Sequence, residues 1–179
     1  MKGNEQPNPT SPDAVLRRNG RINQREAERL ARAFGTTPGF GAIVSCYFPE
    51  NENPNRPGIK PRPCCVLGAK RSETGRLYLL VAYGTGVNVD APRPGEMSVS
   101  NPDEMKSAGL HKPTKFVFTR VRALPFRYEF FRPNKEGTVV LGNLTPELRK
   151  KAIIASTCAR RIIEANRVKL RRTVPVMRD

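Results

Sequence analysis

The 179-residue chain carries 32 Lys and Arg against 16 Asp and Glu, a formal net charge of +16. That length suits one ordinary domain with extensions and excludes two full cores, and no apolar run approaches the roughly 18 residues of a bilayer span. The opening residues Met1–Asp13 have no apolar h-region, so they do not read as a signal peptide. A cytoplasmic location without membrane contact is expected, and the charge points to a polyanionic partner, most often nucleic acid.

Residues 1–12 are rich in Asn, Pro, Ser and Thr and are expected to be disordered. From Asp13 to Phe34 the pattern turns helical, with a break at Asn19-Gly20, a main helix from about Asn23, and Gly35 as its stop. Its arginine face reads either as a nucleic-acid contact or as a solvated surface with Glu26 and Glu28 as local partners. The span 39–142 reads as β. Strands are expected at Ala42–Phe48, Cys64–Leu67, Leu77–Tyr83, Lys115–Leu124, Phe126–Phe131 and Thr138–Gly142, with a Pro- and Asn-rich loop over Pro49–Pro61. Few connections are long enough for a helical crossover, so the strands should be antiparallel and form a small barrel. A closing helix has Thr145 as N-cap and Pro146 at its first position, and runs to about Lys169. Residues 145–179 hold ten Lys or Arg against three acids, the densest part of the positive field.

The cysteines are Cys46, Cys64, Cys65 and Cys158. Their only close pair is vicinal, and in a strand Cys64 and Cys65 would point to opposite faces. They therefore read as small buried hydrophobes and not as metal ligands. No metal and no cofactor is expected.

Several segments stand out in order: Gly39-Phe-Gly-Ala-Ile-Val-Ser-Cys-Tyr-Phe-Pro49, a loop, Lys60-Pro-Arg-Pro-Cys-Cys-Val-Leu-Gly68, Leu80-Val-Ala-Tyr-Gly-Thr-Gly86, Phe118-Thr-Arg-Val-Arg-Ala-Leu-Pro125, and Leu141-Gly-Asn-Leu-Thr-Pro-Glu-Leu148. This order resembles the MazF/PemK family of type II toxin–antitoxin systems over about residues 39–165. The resemblance implies a mainly β fold: an SH3-like (CcdB/PemK-type) antiparallel barrel with a C-terminal helix, usually a homodimer. Residues 1–38 would be an N-terminal helical extension and 166–179 a basic tail. It also implies a metal-independent endoribonuclease that cuts single-stranded RNA by 2′-hydroxyl attack. An acidic antitoxin would be a further partner, and DNA an alternative ligand.

That chemistry needs a proton acceptor, a proton donor and a cation on the charged phosphorane. By the resemblance Arg62, directly before Pro63, supplies the cation, and Thr85, between Gly84 and Gly86, positions the phosphate. Read without the family, Arg62 is a solvated loop charge and Thr85 a turn residue. Arg120 and Arg122, set among Phe118, Val121 and Leu124, would share one strand face and are candidates for RNA contact, together with Lys60, His111 and Lys112. His111 is the single histidine, and it reads either as a general base or as an incidental loop residue. The chain departs from the family pattern at Ala42, where an acid is usual, and at Thr119, where the family has Asp. The second departure keeps two other readings open: a non-catalytic nucleic-acid-binding barrel, or an interaction protein that blocks an enzyme.

Overall fold

The computed structural model describes residues 24–173. The expected disorder over 1–12, the helical piece ahead of Asn19-Gly20 and the last residues of the basic tail lie outside the described residues. The elements run α1 Gln24–Gly35, β1 Ala42–Cys46, β2 Arg62–Arg71, β3 Leu77–Thr85, β4 Glu96–Val99, α2 Pro102–Ser107, β5 Thr114–Pro125, β6 Val140–Asn143 and α3 Pro146–Thr173.

The six strands form one antiparallel sheet in the order β4-β5-β3-β2-β1-β6. The antiparallel β architecture is as the sequence leads one to expect. The hydrogen bonding, however, leaves the sheet open, with β4 and β6 as its edges. A physical reason lies at the β6 edge. There α2, which follows β4 after two residues, sets its end against β6: Ser107 Oγ donates to the Asn143 carbonyl at 2.9 Å. Gly109, at φ 65°, turns the chain so close to Leu141 that a Cβ there would strike the Leu141 carbonyl oxygen.

Both faces of the sheet are covered, so the central strands read as unbroken apolar runs. One face gathers Val44, Cys46, Phe48, Cys64, Val66, Leu79, Val81 and Leu124 beneath Ala33 of α1 and the rings of Phe126, Phe130 and Phe131. Phe34 of α1 meets Phe126 edge-on, with centroids 4.9 Å apart. The other face gathers Ile43, Cys65, Ala82, Met97, Val99, Phe116 and Phe118 beneath Leu148, Ala152, Ala155 and Ala159 of α3. Small residues on α3 let the helix sit close, and Gly95 at φ 83° faces the Ala159 backbone where any side chain would crowd it. The predicted cap holds: the Leu148 N–H donates to Thr145 Oγ1 at 3.3 Å.

Two stretches differ from the sequence reading. Phe126–Phe131 is a turn, not a strand. Its buried residues are 126, 130 and 131, a helical spacing instead of an alternation, and the Phe130 and Phe131 N–H groups both donate to the Arg127 carbonyl. The span 87–114, to which the sequence reading assigns no element, holds β4 and α2. The signal for α2 is present in Asn101-Pro-Asp-Glu104. The Asn101 side chain accepts from the Asp103 and Glu104 N–H groups, Pro102 opens the helix, and acids occupy its first turn.

Cys64 and Cys65 do face opposite sides, Cys64 beside Cys46 in one cluster and Cys65 in the other. Burial, then the neighbouring Cys64 thiol, raises the Cys46 pKa well above its ordinary range; burial, then the Cys64 charge, pushes Cys65 up to about 12. These thiols are therefore poor nucleophiles. Native alkylation with iodoacetamide, read by peptide mapping, should label the half-buried Cys158 and leave Cys46, Cys64 and Cys65 unmodified until the chain is denatured.

Candidate functional site

A cleft of about 270 Å³ opens where the end of β1, the loop after it, the start of β2 and the middle of β3 and β5 meet. Phe48 and Tyr83 line its apolar side, Ile59 and Lys60 its rim, and Arg62 and Arg120 its charged side; Glu50, Asn51 and Glu52 come in from the loop. Ile59 is 86 % exposed.

The local fold explains how these groups converge. β2 begins at Arg62, which pairs with Cys46 of β1, and Cys64 pairs with Tyr83 of β3. Continuing that antiparallel register brings Pro63 alongside Gly84 and Arg62 alongside Thr85. The approach is close: a Cβ on Gly84 would overlap the Pro63 carbonyl oxygen and touch the Phe116 ring. Gly84→Ala should therefore cost about 1–3 kcal/mol in urea denaturation through overpacking, and should move Arg62 away from Tyr83.

Arg120 reaches the cleft through an irregularity in β5. Val121 pairs with Ala82, but the next residue of β3, Tyr83, pairs with Val117, so residues 118–120 bulge. The Arg120 guanidinium carbon lies 4.1 Å from the Tyr83 ring centroid and 5.4 Å from that of Phe48. Those two rings meet edge-on at 5.2 Å, so they form one aromatic seat. Arg62 adds a second guanidinium 5.7 Å from Tyr83. Each contact of this kind contributes about 0.5–2 kcal/mol and, more usefully here, fixes the plane of the cation.

The electrostatics are incomplete. Among the described residues no ion pair joins Glu50 or Glu52 to Lys60, Arg62 or Arg120. Arg120 Nε is buried and has no hydrogen-bond partner. A buried donor left unmet costs about 1–3 kcal/mol. The cleft therefore presents two seated guanidiniums and an ammonium to an anion, with two carboxylates also in its lining.

Of the residues singled out in the sequence, Lys60, Arg62 and Arg120 line this cleft. Thr85 stands at the end of β3, half-buried, two residues beyond Tyr83 and so on the same face; its Oγ1 accepts from the Val87 N–H at 3.2 Å. Lys112 lies over the turn after Thr85, its Nζ 3.7 Å from where a Cβ on Gly86 would stand, with His111 exposed next to it. Arg122 is not part of the cleft lining; its Nη1 donates to the Val121 carbonyl at 3.2 Å. Thr119, at the position of the family Asp, packs its Cγ2 near Gly95 beside Ala159 of α3 and is not part of the cleft lining. Glu50, Glu52, Phe48 and Tyr83 were not singled out from the sequence. The carboxylates sit in a loop with no periodicity to mark them, and the rings read as core because each has a buried neighbour in its strand.

Among the described residues no group of three or more His, Cys, Asp and Glu is placed to hold a metal ion, and no helix is long and apolar enough to cross a membrane. No family model matches the chain, and no curated protein matches it. Among solved structures it is similar to an endoribonuclease in complex with its cognate antitoxin from Mycobacterial species, at 15% identity and a TM-score of 0.46, over 69% of this chain and 94% of that one. At that identity the likeness assigns neither activity nor partner.

Proposed function

We propose that the chain is a MazF/PemK-like endoribonuclease that cuts single-stranded RNA at the cleft. The observation that carries this reading is Arg120, seated on Tyr83 and Phe48 with its buried Nε unmet, beside Arg62. Motif order supports the family, and the cleft geometry supports an anionic ligand with planar bases. In the reaction the ribose 2′-oxygen attacks the adjacent phosphorus, and its proton passes to the carboxylate of Glu50 or Glu52. The P–O5′ bond breaks, the 5′-oxygen takes up a proton from Lys60 or water, and the products are a 2′,3′-cyclic phosphate and a 5′-hydroxyl. Arg62 and Arg120 hold the doubly charged phosphorane, and Thr85 positions the phosphate from the end of β3. The positive charge comes from the chain itself, so this route requires no metal.

Under this proposal single-stranded DNA binds but is not cut, since it has no 2′-hydroxyl. The net charge of +16 also suits an acidic antitoxin segment, and a homodimer is the proposed working state. The test is incubation of the purified protein with 5′-labelled single-stranded RNA in EDTA, with products resolved for the cyclic phosphate. One observation favours a second reading, a nucleic-acid-binding module that has lost the chemistry: Thr119 brings no carboxylate from β5, and both candidate bases sit on a loop. A gel shift with intact RNA would establish that module and remove the nuclease.

A further inference from the structure

A second surface combines an unpaired cation with aromatic faces. Arg132 lies with its guanidinium carbon 4.6 Å from the Tyr47 ring centroid and 5.8 Å from that of Tyr128. Arg132 is exposed and both tyrosines are half-buried. The backbone beneath is fixed: the Tyr47 N–H donates to the Phe130 carbonyl at 2.8 Å, and the Tyr47 carbonyl accepts from the Gly58 N–H at 2.9 Å. The nearby carboxylate of Glu129 is 3.5 Å from Arg127 Nε, and among the described residues none pairs with Arg132.

An exposed guanidinium held by aromatic rings can give its N–H groups to a phosphate, and the arginine and tyrosine surfaces together can stack a nucleobase, the combination by which sequence-tolerant single-strand binding is built. An acidic protein segment would use the N–H groups alone and draw no stacking from the tyrosine rings. Tyr47 also directly precedes Phe48, whose ring lines the cleft, so the two surfaces adjoin along the chain.

We propose that Tyr47, Tyr128 and Arg132 form a second nucleotide-binding platform, which takes a base and phosphate of single-stranded RNA flanking the nucleotides held in the cleft. The proposal rests on the RNA reading of the cleft and extends it: the platform governs how long a strand is gripped, not whether it is cut.

The test is fluorescence anisotropy with single-stranded 2′-O-methyl oligonucleotides, which resist cleavage, one a trinucleotide and one of about nine nucleotides. The native protein should hold the longer strand about ten-fold more tightly, since one stacked base and one phosphate contribute on that scale. Arg132→Ala should abolish that gain while leaving trinucleotide affinity and cleavage of a short RNA unchanged. Arg132→Lys should restore the salt-dependent part of the gain and not the rest, because an ammonium has no face to stack. The platform is overturned if Arg132→Ala keeps the gain, or weakens both lengths alike. It is equally overturned if the variant loses affinity for an acidic peptide and not for the longer strand. If the native protein holds neither oligonucleotide, the RNA reading of the cleft fails first and takes the platform with it.

Discussion

Arg62→Ala should lower the rate of single-stranded RNA cleavage by about 10²–10³, the usual loss when one preorganised group on a developing oxyanion is removed. Arg120→Ala should lose at least as much and also weaken binding, because its guanidinium is already seated on Tyr83 and Phe48 before any substrate arrives. The two variants should differ in kinetics. Arg62 sits at the open start of β2 and is assigned to the transition state, so kcat should fall with KM little changed. Arg120 grips the phosphate in the ground state as well, so KM should rise too. Arg120→Lys should not restore activity. A lysine ammonium has no plane to rest on the two rings, and its three N–H groups radiate from one nitrogen, so it cannot make the parallel two-point grip of a guanidinium on a phosphate. Single-turnover cleavage and equilibrium binding on the same RNA measure both effects. Arg62→Ala that cleaves within about three-fold of the native rate would sink the assignment of Arg62 to the chemistry. In cells, growth arrest on expression of the native chain should be relieved by either substitution.

The two arginines also show what a sequence can and cannot carry. Arg62 is legible only through the resemblance, since by itself it reads as a solvated loop charge; the structure has β2 beginning at that residue, two positions before the expected strand start. Arg120 is legible as a strand charge, but its place in the cleft depends on the bulge opposite Tyr83, which is set by how β3 and β5 pair and leaves no mark in composition. Had β5 kept strict alternation from Phe118, Arg120 and Phe118 would share a face, and the cation would lie under α3 among Phe116, Leu148 and Ala152. The bulge moves Arg120 to the opposite side and leaves Thr119 near α3. The same reasoning covers α3 itself. Its cap and apolar stripe are periodic and were readable, whereas β4 is four residues long and was not. Glu50 and Glu52 are the clearest case: they occupy a loop with turn hydrogen bonds such as Asn53 N–H to the Glu50 carbonyl, and only folding brings them into one cleft with Arg62.

One ion pair is expected to matter more for stability than any other in the described chain. Lys115 is 6 % exposed, and its Nζ lies 2.9 Å from Glu96 Oε2, which also accepts from the Arg93 N–H at 2.8 Å. Lys115 is the partner of Ser98 on β4 and of Thr85 on β3, so the pair ties the edge strand to the end of β3 where the proposed phosphate-positioning Thr85 stands. Removing Lys115 leaves the partly buried Glu96 carboxylate without its cation, and removing Glu96 leaves a buried ammonium. Lys115→Met should therefore cost about 3 kcal/mol or more, whereas Glu96→Leu with Lys115→Met should recover most of that loss, since a matched apolar pair carries no desolvation penalty. For a chain of this size the single variant should melt about 6–12 °C lower. The pH dependence has a definite sign. Burial raises the Glu96 pKa, but the Arg93 N–H, Lys115 and the Arg93 charge outweigh it and hold the carboxyl below its ordinary value. A group depressed on folding contributes fully above its unfolded pKa of about 4.3 and loses that contribution as pH falls through the lower folded value. Native protein should thus lose stability through this acid window more steeply than Glu96→Gln, whose amide does not titrate. Parallel melting curves for the two proteins from pH 7 down to about pH 3, with no difference in slope, would show that the pair is not coupled to folding. Cleavage gives an independent readout: Lys115→Met should reduce it at temperatures well below the melt, because the strand end that carries Thr85 is no longer anchored to β4.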